Sequence, residues 1–301
     1  MSQARFKTLS VAIIAKDEEA EMFDCLASVA GAHEIVVVDT GSKDDTAKIA
    51  RQLRAKVKYY KWNDDFASAY NYANRFCTAD WILSLDADER LAPEQIYELI
   101  RFIQEDDLHD AYRLILDYPS EIVKAVKLFQ NSPKIYWKGK AHKYISTNDI
   151  GLCDICIKCH LSISHKYDPK RTQRILEKAI EEDASLIRER YYLAREYAQL
   201  RLYDKAFWMF EEFLLKHPDA DFFMADANLY IAKLYKILND YIKAKEYARM
   251  ATYVSPEFKE AWEFLAFLSK GQVDEEIYTQ VAGNCTNKNI WIIRKKSWLE
   301  V

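Results

Sequence analysis

The chain lacks any apolar run approaching the ~20 residues that a membrane-spanning helix requires, so no span is predicted. It also lacks an excess of positive charge: 43 Lys and Arg stand against 47 Asp and Glu, a net charge of -4. That balance argues against sequence-independent DNA binding, which needs clustered cations to displace counterions. Six cysteines in 301 residues are too sparse for a disulfide scaffold; they fit free thiols in a reducing compartment. The start, MSQARFKTLSVAII, has one short apolar stretch, then charges from Lys16 to Glu19, and no small-residue cleavage site. A signal peptide is therefore not expected, and the protein reads as cytoplasmic. Finally, no Gly-rich, Arg- and Lys-bearing loop follows the first predicted strand. Ala15-Lys-Asp-Glu-Glu stands there instead, which speaks against a nucleotidyltransferase.

What is present is an ordinary globular composition, 50% apolar and 30% charged, long enough for two domains. Over residues 9–117, short apolar runs alternate with helical patterns. Leu9–Ala15, Glu34–Asp39, Val57–Tyr60 and Trp81–Leu85 read as strands; 18–30, 46–53, 65–76 and 93–104 carry helical spacing. This order predicts a mostly parallel sheet with helices on both faces. From Ala111 to about His165 strand-like runs dominate, a β-rich extension of the same domain. From Pro169 the pattern is helical and internally repeated. Ala194 and Ala232, Tyr203 and Tyr241, Ala206 and Ala244, and Pro218 and Pro256 all match at an offset of 38. A small residue at a helix crossing, an aromatic at the turn and a closing proline resemble tetratricopeptide repeats, whose period is about 34. The four extra residues suggest one longer helical turn, and a further helix over 258–270 caps the stack. Tyr191, Tyr192, Tyr197, Phe207, Trp208, Phe210 and Phe213, at helical spacing, read as repeat core. The expected fold is α/β over 1–168, a mixed sheet flanked by helices, followed by an all-α tetratricopeptide-like domain over 169–301. A plain helical bundle is the alternative for the second part.

Three strand ends carry polar residues. Asp86-Ala87-Asp88-Glu89 follows the buried run WILSL, and ligands of parallel α/β sheets bind at the carboxyl ends of strands. Two carboxylates at i and i+2 there can converge on a hard cation such as Mn²⁺ or Mg²⁺, which bridges diphosphate oxygens. Asp39 ends a second buried strand, where its carboxylate can accept hydrogen bonds from a base or a ribose; Asp44 and Asp45 read as caps of the next helix. Ala15-Lys16-Asp17-Glu18 closes the first strand. Cys153-x-x-Cys156-x-x-Cys159-His160 invites a metal reading, but in an alternating strand Cys153 and Cys159 face away from Cys156 and His160. Plain strand residues are the expectation. Trp62 is either core or a stacking surface for sugar or base.

The ordered set VAIIAKDEE, EIVVVDTGSKDDT, W-x-DDFASAYN and WILSLDADER resembles the family 2 inverting glycosyltransferases of GT-A fold. The likeness is greatest to a bacterial branch with lipopolysaccharide-core and peptide S-glycosyltransferases, several with tetratricopeptide-like C-terminal helices. It continues through Lys127-Leu128-Phe129, Trp137-Lys138-Gly139-Lys140-Ala141-His142 and His165-Lys-Tyr-Asp-Pro169. The resemblance implies that Lys16, Glu18, Asp39, Asn71 and His165 bind the nucleotide sugar and that Asp86 and Asp88 hold the metal on its diphosphate. It also places His142 and His165 near the diphosphate or acceptor. The chain departs from the family pattern at Asp17 (usually Asn), Tyr70 (usually Arg) and Lys143 (usually Glu). With Lys143 in place of a carboxylate, the base that takes the acceptor proton is expected to be His142 or Glu89. The expected partners are a nucleoside diphosphate sugar, UDP-linked, an unidentified glycan, peptide or other acceptor, and a protein or second copy docking on the helical repeats. The alternatives are a sugar-nucleotide-binding protein without transfer and an adaptor acting through its helices.

Overall fold

In the computed structural model, residues 5–105, 108–160, 168, 170–219, 221–287 and 290–294 are described. The chain divides into two compact units, Met1–Arg171 and Thr172–Val301.

In the first unit, β1 (Leu9–Ala15), α1 (Glu19–Ser28), β2 (Glu34–Asp39), α2 (Thr46–Gln52), β3 (Lys56–Tyr59), α3 (Phe66–Asn74) and β4 (Trp81–Asp86) alternate. Then come β5 (Glu89–Leu91), α4 (Gln95–Glu105), β6 (Ala111–Asp117), β7 (Glu121–Gln130), the hairpin β8 (Trp137–Lys138) and β9 (Tyr144–Ile145), and β10 (Ile150–Cys159). The strand order is β3-β2-β1-β4-β7-β6-β10-β5. β1, β2, β3 and β4 pair in parallel, as their alternation with helices requires. Beyond them the sheet is mixed: β7 runs antiparallel to β4 and β6, while β10 is parallel to β6 and antiparallel to β5. The parallel strands are apolar at successive positions because both faces are covered. Val11, Ile13, Val37, Leu83 and Leu85 pack on one side with Met22, Leu26, Leu99 and Ile103. Ala12, Ile14, Val36, Val38 and Ile82 pack on the other with Ala67, Tyr70 and Ala73 of α3.

The second unit is helical: α5 (Arg171–Glu182, its first residue in the other unit), α6 (Ile187–Gln199), α7 (Tyr203–Lys216), α8 (Phe222–Ile237), α9 (Tyr241–Val254), α10 (Lys259–Leu268) and α11 (Asp274–Asn284). The offset of 38 holds at the helix ends, Gln199 against Ile237 and Lys216 against Val254. The added length lies at the start of α8, which has 16 residues where α6 has 13. Ala194, Ala232, Ala206 and Ala244 are fully buried, so the small residues sit where the helices cross. Trp208 corrects the expected core stripe: it is 59% exposed, because Ala206, Met209, Phe210 and Phe213 set the buried face of α7. Helix α11 was not foreseen, nor the short strand β11 (Ile292–Arg294), whose arginine is buried against Asp226. No helix among the described residues is long and apolar enough to cross a membrane.

Candidate active site

The parallel register brings two carboxylates to one sheet edge: Ala15 of β1 is paired with Asp39 of β2, and Ile14 with Asp86 of β4. The loops leaving β1 and β2 are laced together. Asp39 Oδ1 accepts from Gly41 N (2.8 Å) and Ser42 N (2.7 Å), a tight turn in which Gly41 has a φ of 111°. Asp17, at a φ of 55°, accepts from Lys43 N (2.7 Å), Glu18 N donates to Thr46 Oγ1 (2.8 Å), and Asp45 N donates to Glu19 Oε2 (3.0 Å). Asp44 accepts from Thr46 N at the start of α2 (3.0 Å), whereas Asp45 makes no cap bond and pairs with Lys48. Of the two expected caps, only the Asp44 side chain accepts from a backbone N–H of the helix. Lys16 is exposed at the rim, and Glu18 is buried at the start of α1.

Beside this edge lies a buried ionic cluster. Lys127 Nζ, from β7, donates to Asp86 Oδ2 (3.1 Å) and Glu89 Oε2 (2.6 Å). Tyr70 OH, from α3, donates to Asp86 Oδ1 and to Leu85 O (3.0 Å). Asp86 N donates back to Glu89 Oε2 (2.9 Å). Burial works against the Asp86 charge, but the ammonium groups of Lys127 and Lys143 and the Tyr70 hydroxyl hold its carboxyl well below the usual range. Burial pushes Glu89 up; Lys127 pulls it back, and the Asp86 charge adds to the rise. Glu89 is 1% exposed, and its Oε1 has no hydrogen-bond partner among the described residues. Glu89, one of the two expected proton acceptors, thus lies sealed beneath Asp86, bonded to Lys127 and to the Asp86 backbone. Asp88 is half-buried, its carbonyl accepting from His160 N (2.9 Å).

The β8–β9 hairpin forms a further wall. Asn71, from α3, ties it down: Nδ2 donates to Trp137 O (2.9 Å) and Oδ1 accepts from Trp137 N (2.8 Å). One amide hydrogen and the carbonyl oxygen of Asn71, expected to bind the nucleotide sugar, thus hold the hairpin backbone. Gly139 (φ 85°) and His142 (φ 49°) turn the chain, leaving His142 exposed. Lys143 Nζ lies 4.0 Å from the Tyr70 ring centroid and 5.0 Å from that of Trp137. Burial lowers its pKa to about 8, with attraction from Asp86 opposing and repulsion from Lys127 assisting. The positions of two departures from the family pattern, 70 and 143, are therefore in contact. His165 lies outside the described residues.

The glycosyl transferase family 2 model matches residues 10–161, half of the chain. The chain belongs to glycosyl transferase family 2. It is 33% identical over 166 residues to a TPR repeat-containing protein of Synechococcus elongatus, covering 50% of this chain and 38% of that protein. It is 37% identical over 107 residues to an uncharacterized glycosyltransferase of Rickettsia typhi, covering 35% of this chain and 36% of the other. The chain thus spans well under half the length of these curated relatives. Among solved structures, S. aureus TarS 1–349 is similar at 14% identity and a TM-score of 0.47, covering 82% of this chain and 91% of that one.

Within this family 2 domain, the described residues contain no group of three or more His, Cys, Asp or Glu side chains poised for a metal. Each Asp86 oxygen accepts one hydrogen bond and keeps a second lone pair, and its side chain is 39% exposed, so Asp86 can still join a cation beside Asp88, which follows it at the strand end. The cysteine run is a strand, as expected: Cys153 and Cys159 are buried on one face and Cys156 is half-buried on the other. Burial, then the Glu89 charge, pushes the Cys159 thiol far up, away from a metal-binding thiolate. Trp62 stacks edge-on with Phe66 (4.8 Å) and donates to Asp64 Oδ1 (2.9 Å). Lys127 is the site residue the sequence did not assign. In EIVKAVKLFQ nothing local separates it from Lys124, three residues before it, and only the sheet order places it behind Asp86.

Proposed function

We propose that the chain transfers a hexose or N-acetylhexosamine from a UDP-sugar to an acceptor, with inversion at the anomeric carbon. The observation that supports this most is the shared sheet edge of a family 2 domain, where Asp39 ends β2, and Asp86 ends β4 with Asp88 just after it, on the two sides of β1. Asp39, with Lys16 and Glu18 on the adjoining loop, receives the nucleoside. A Mn²⁺ or Mg²⁺ ion fits Asp88 together with the donor's own oxygens and would neutralise charge on the leaving diphosphate. The acceptor oxygen attacks the anomeric carbon from the side opposite the diphosphate. The carbon–oxygen bond to phosphate breaks, and its electron pair leaves with the diphosphate. His142, exposed on the hairpin, takes the acceptor proton. Residues 1–168 serve as catalytic domain and 169–301 as a repeat domain for a protein partner or a second copy. Six free cysteines fit a cytoplasmic setting. A second reading, donor binding without transfer, draws on the sealing of Glu89 and on Lys143 at the hairpin.

A thermal-shift panel of nucleotide sugars with and without Mn²⁺ tests this. A donor at about 100 times its dissociation constant stabilises by about 2.7 kcal/mol. Asp88→Asn is expected to remove the metal-dependent part of the shift. Asp39→Asn, which keeps the acceptor that holds Gly41 and Ser42, is expected to weaken nucleotide binding by about 1.5–3 kcal/mol. No shift with any nucleotide sugar would sink the proposal; a shift with neither donor hydrolysis nor transfer would leave the second reading.

A further inference from the structure

An ammonium carries three N–H donors and seeks oxygen acceptors. Lys143 is half-buried against two aromatic faces, and among the described residues its ammonium makes neither an ion pair nor a hydrogen bond. The π faces of Tyr70 and Trp137 attract the charge but offer no such acceptor. Asp86 attracts this charge from beyond ion-pair distance, and Glu89 lies sealed below. Yet the side chain is held in place. The hairpin is clamped by Asn71 and turned by two left-handed residues, one of them the non-glycine His142 immediately before Lys143. Such backbone is costly and gathers at ligand sites.

We propose that Lys143 is a donor-binding residue whose ammonium contacts the diphosphate of the nucleotide. This inference rests on the donor reading above and names a cation for it that is not a metal. As the carbon–oxygen bond to phosphate breaks, the electron pair passes to the diphosphate oxygen. Lys143 hydrogen-bonds that oxygen without giving up its proton, and the acceptor's proton goes to the base. Lys127, behind Asp86, keeps that carboxylate from repelling the same diphosphate.

The test is calorimetric titration of the full chain with UDP and with uridine, for the parent, Lys143→Met, Lys143→Gln and Lys143→Arg. The parent is expected to bind UDP more tightly than uridine. The Met and Gln variants are expected to lose UDP affinity by about ten- to a hundred-fold, the loss of one charged hydrogen bond, with uridine binding unchanged; Arg should stay close to the parent. Full retention of UDP affinity in both neutral variants overturns the inference, as does an equal loss for UDP and uridine, which marks a structural role. A parent that does not distinguish UDP from uridine overturns the donor reading itself. Should the Met variant not fold, the neutral, polar Gln variant decides.

Discussion

Each unit buries charge, and the two clusters differ in how completely their carboxylates are paired. In the helical unit Asp226 is fully buried: Arg294 meets both of its oxygens (2.9 and 3.1 Å) and Tyr191 OH donates to Oδ2 (2.6 Å). Arg294 also reaches Glu260 (2.8 Å), whose other oxygen accepts from Lys233 (2.6 Å). At the strand ends of the α/β unit, Asp86 is similarly engaged, but Glu89 Oε1 finds no partner among the described residues, and Lys143 rests on rings. A closed network holds a fold together; an open one keeps interactions in reserve for a ligand, and proteins bear that cost at functional sites.

The largest expected effect breaks the closed cluster. Arg294→Met leaves Asp226 and Glu260 with less compensation in a buried setting, which is expected to cost about 3–5 kcal/mol of stability. Urea denaturation of the full chain checks this, and UDP affinity of the folded protein should be unchanged. A loss under ~1 kcal/mol would mean that the cluster is no more structural than a surface pair.

The comparison can be repeated within the α/β unit, at the opposite end of β2. Glu34 is buried there and closed: it accepts from Ser10 Oγ (2.5 Å), Thr78 Oγ1 (2.9 Å) and Thr78 N, and it pairs with Lys56. Burial alone would raise its pKa, but Lys56, Ser10 and Thr78 outweigh it and bring it to about 2 from 4.5. A carboxyl lowered on folding contributes stability that is complete above the unfolded value and is lost as pH falls from about 4.5 toward 2. The expected difference between parent and Glu34→Gln is therefore about 2–3 kcal/mol at pH 7, shrinking through that acid window. Parallel acid profiles for the two proteins would show that Glu34 is not held in this way.

The sequence was most readable where burial is simplest. Leu9–Ala15 and Glu34–Asp39 stand out because strands covered on both faces carry continuous apolar runs, VAIIA and IVVV, and the polar strand ends then mark the edge where Asp39 and Asp86 lie. The helical repeat was readable because small residues recur at the crossings. What escaped depends on sheet order and long-range pairing. Lys127 gains its role only when β7 lies beside β4. Asn71 is polar for the sake of Trp137, 66 residues on. Glu89, one residue past the D-A-D, turns inward because β5 pairs with β10 there. Nor does any local pattern in the last residues announce that Arg294 is buried against Asp226.

The smallest expected effect has the opposite sign to the first, and so separates the two clusters most sharply. Lys143 has a folded pKa of about 8 against 10.5 for the free side chain, chiefly because burial penalises its charge. Below about pH 8 the lysine is protonated in both folded and unfolded chains, so the folded state bears the full cost of the buried charge. Between about 8 and 10.5 the unfolded chain binds more protons than the folded one, so stability from this group rises with pH. Lys143→Met removes the charge. With allowance for the half-exposed position, it is expected to stabilise the apo protein by about 1–2 kcal/mol at pH 7. That advantage should fade as pH rises toward 10.5. The measurement is the difference in urea-unfolding free energy between parent and variant, taken pH by pH so that other titrating groups cancel. If Lys143→Met instead weakens the apo protein by several kcal/mol at pH 7, as Arg294→Met is expected to do, then its ring contacts with Tyr70 and Trp137 outweigh the desolvation. The strand-end cluster would then be as closed as the helical one, with nothing held in reserve for a diphosphate.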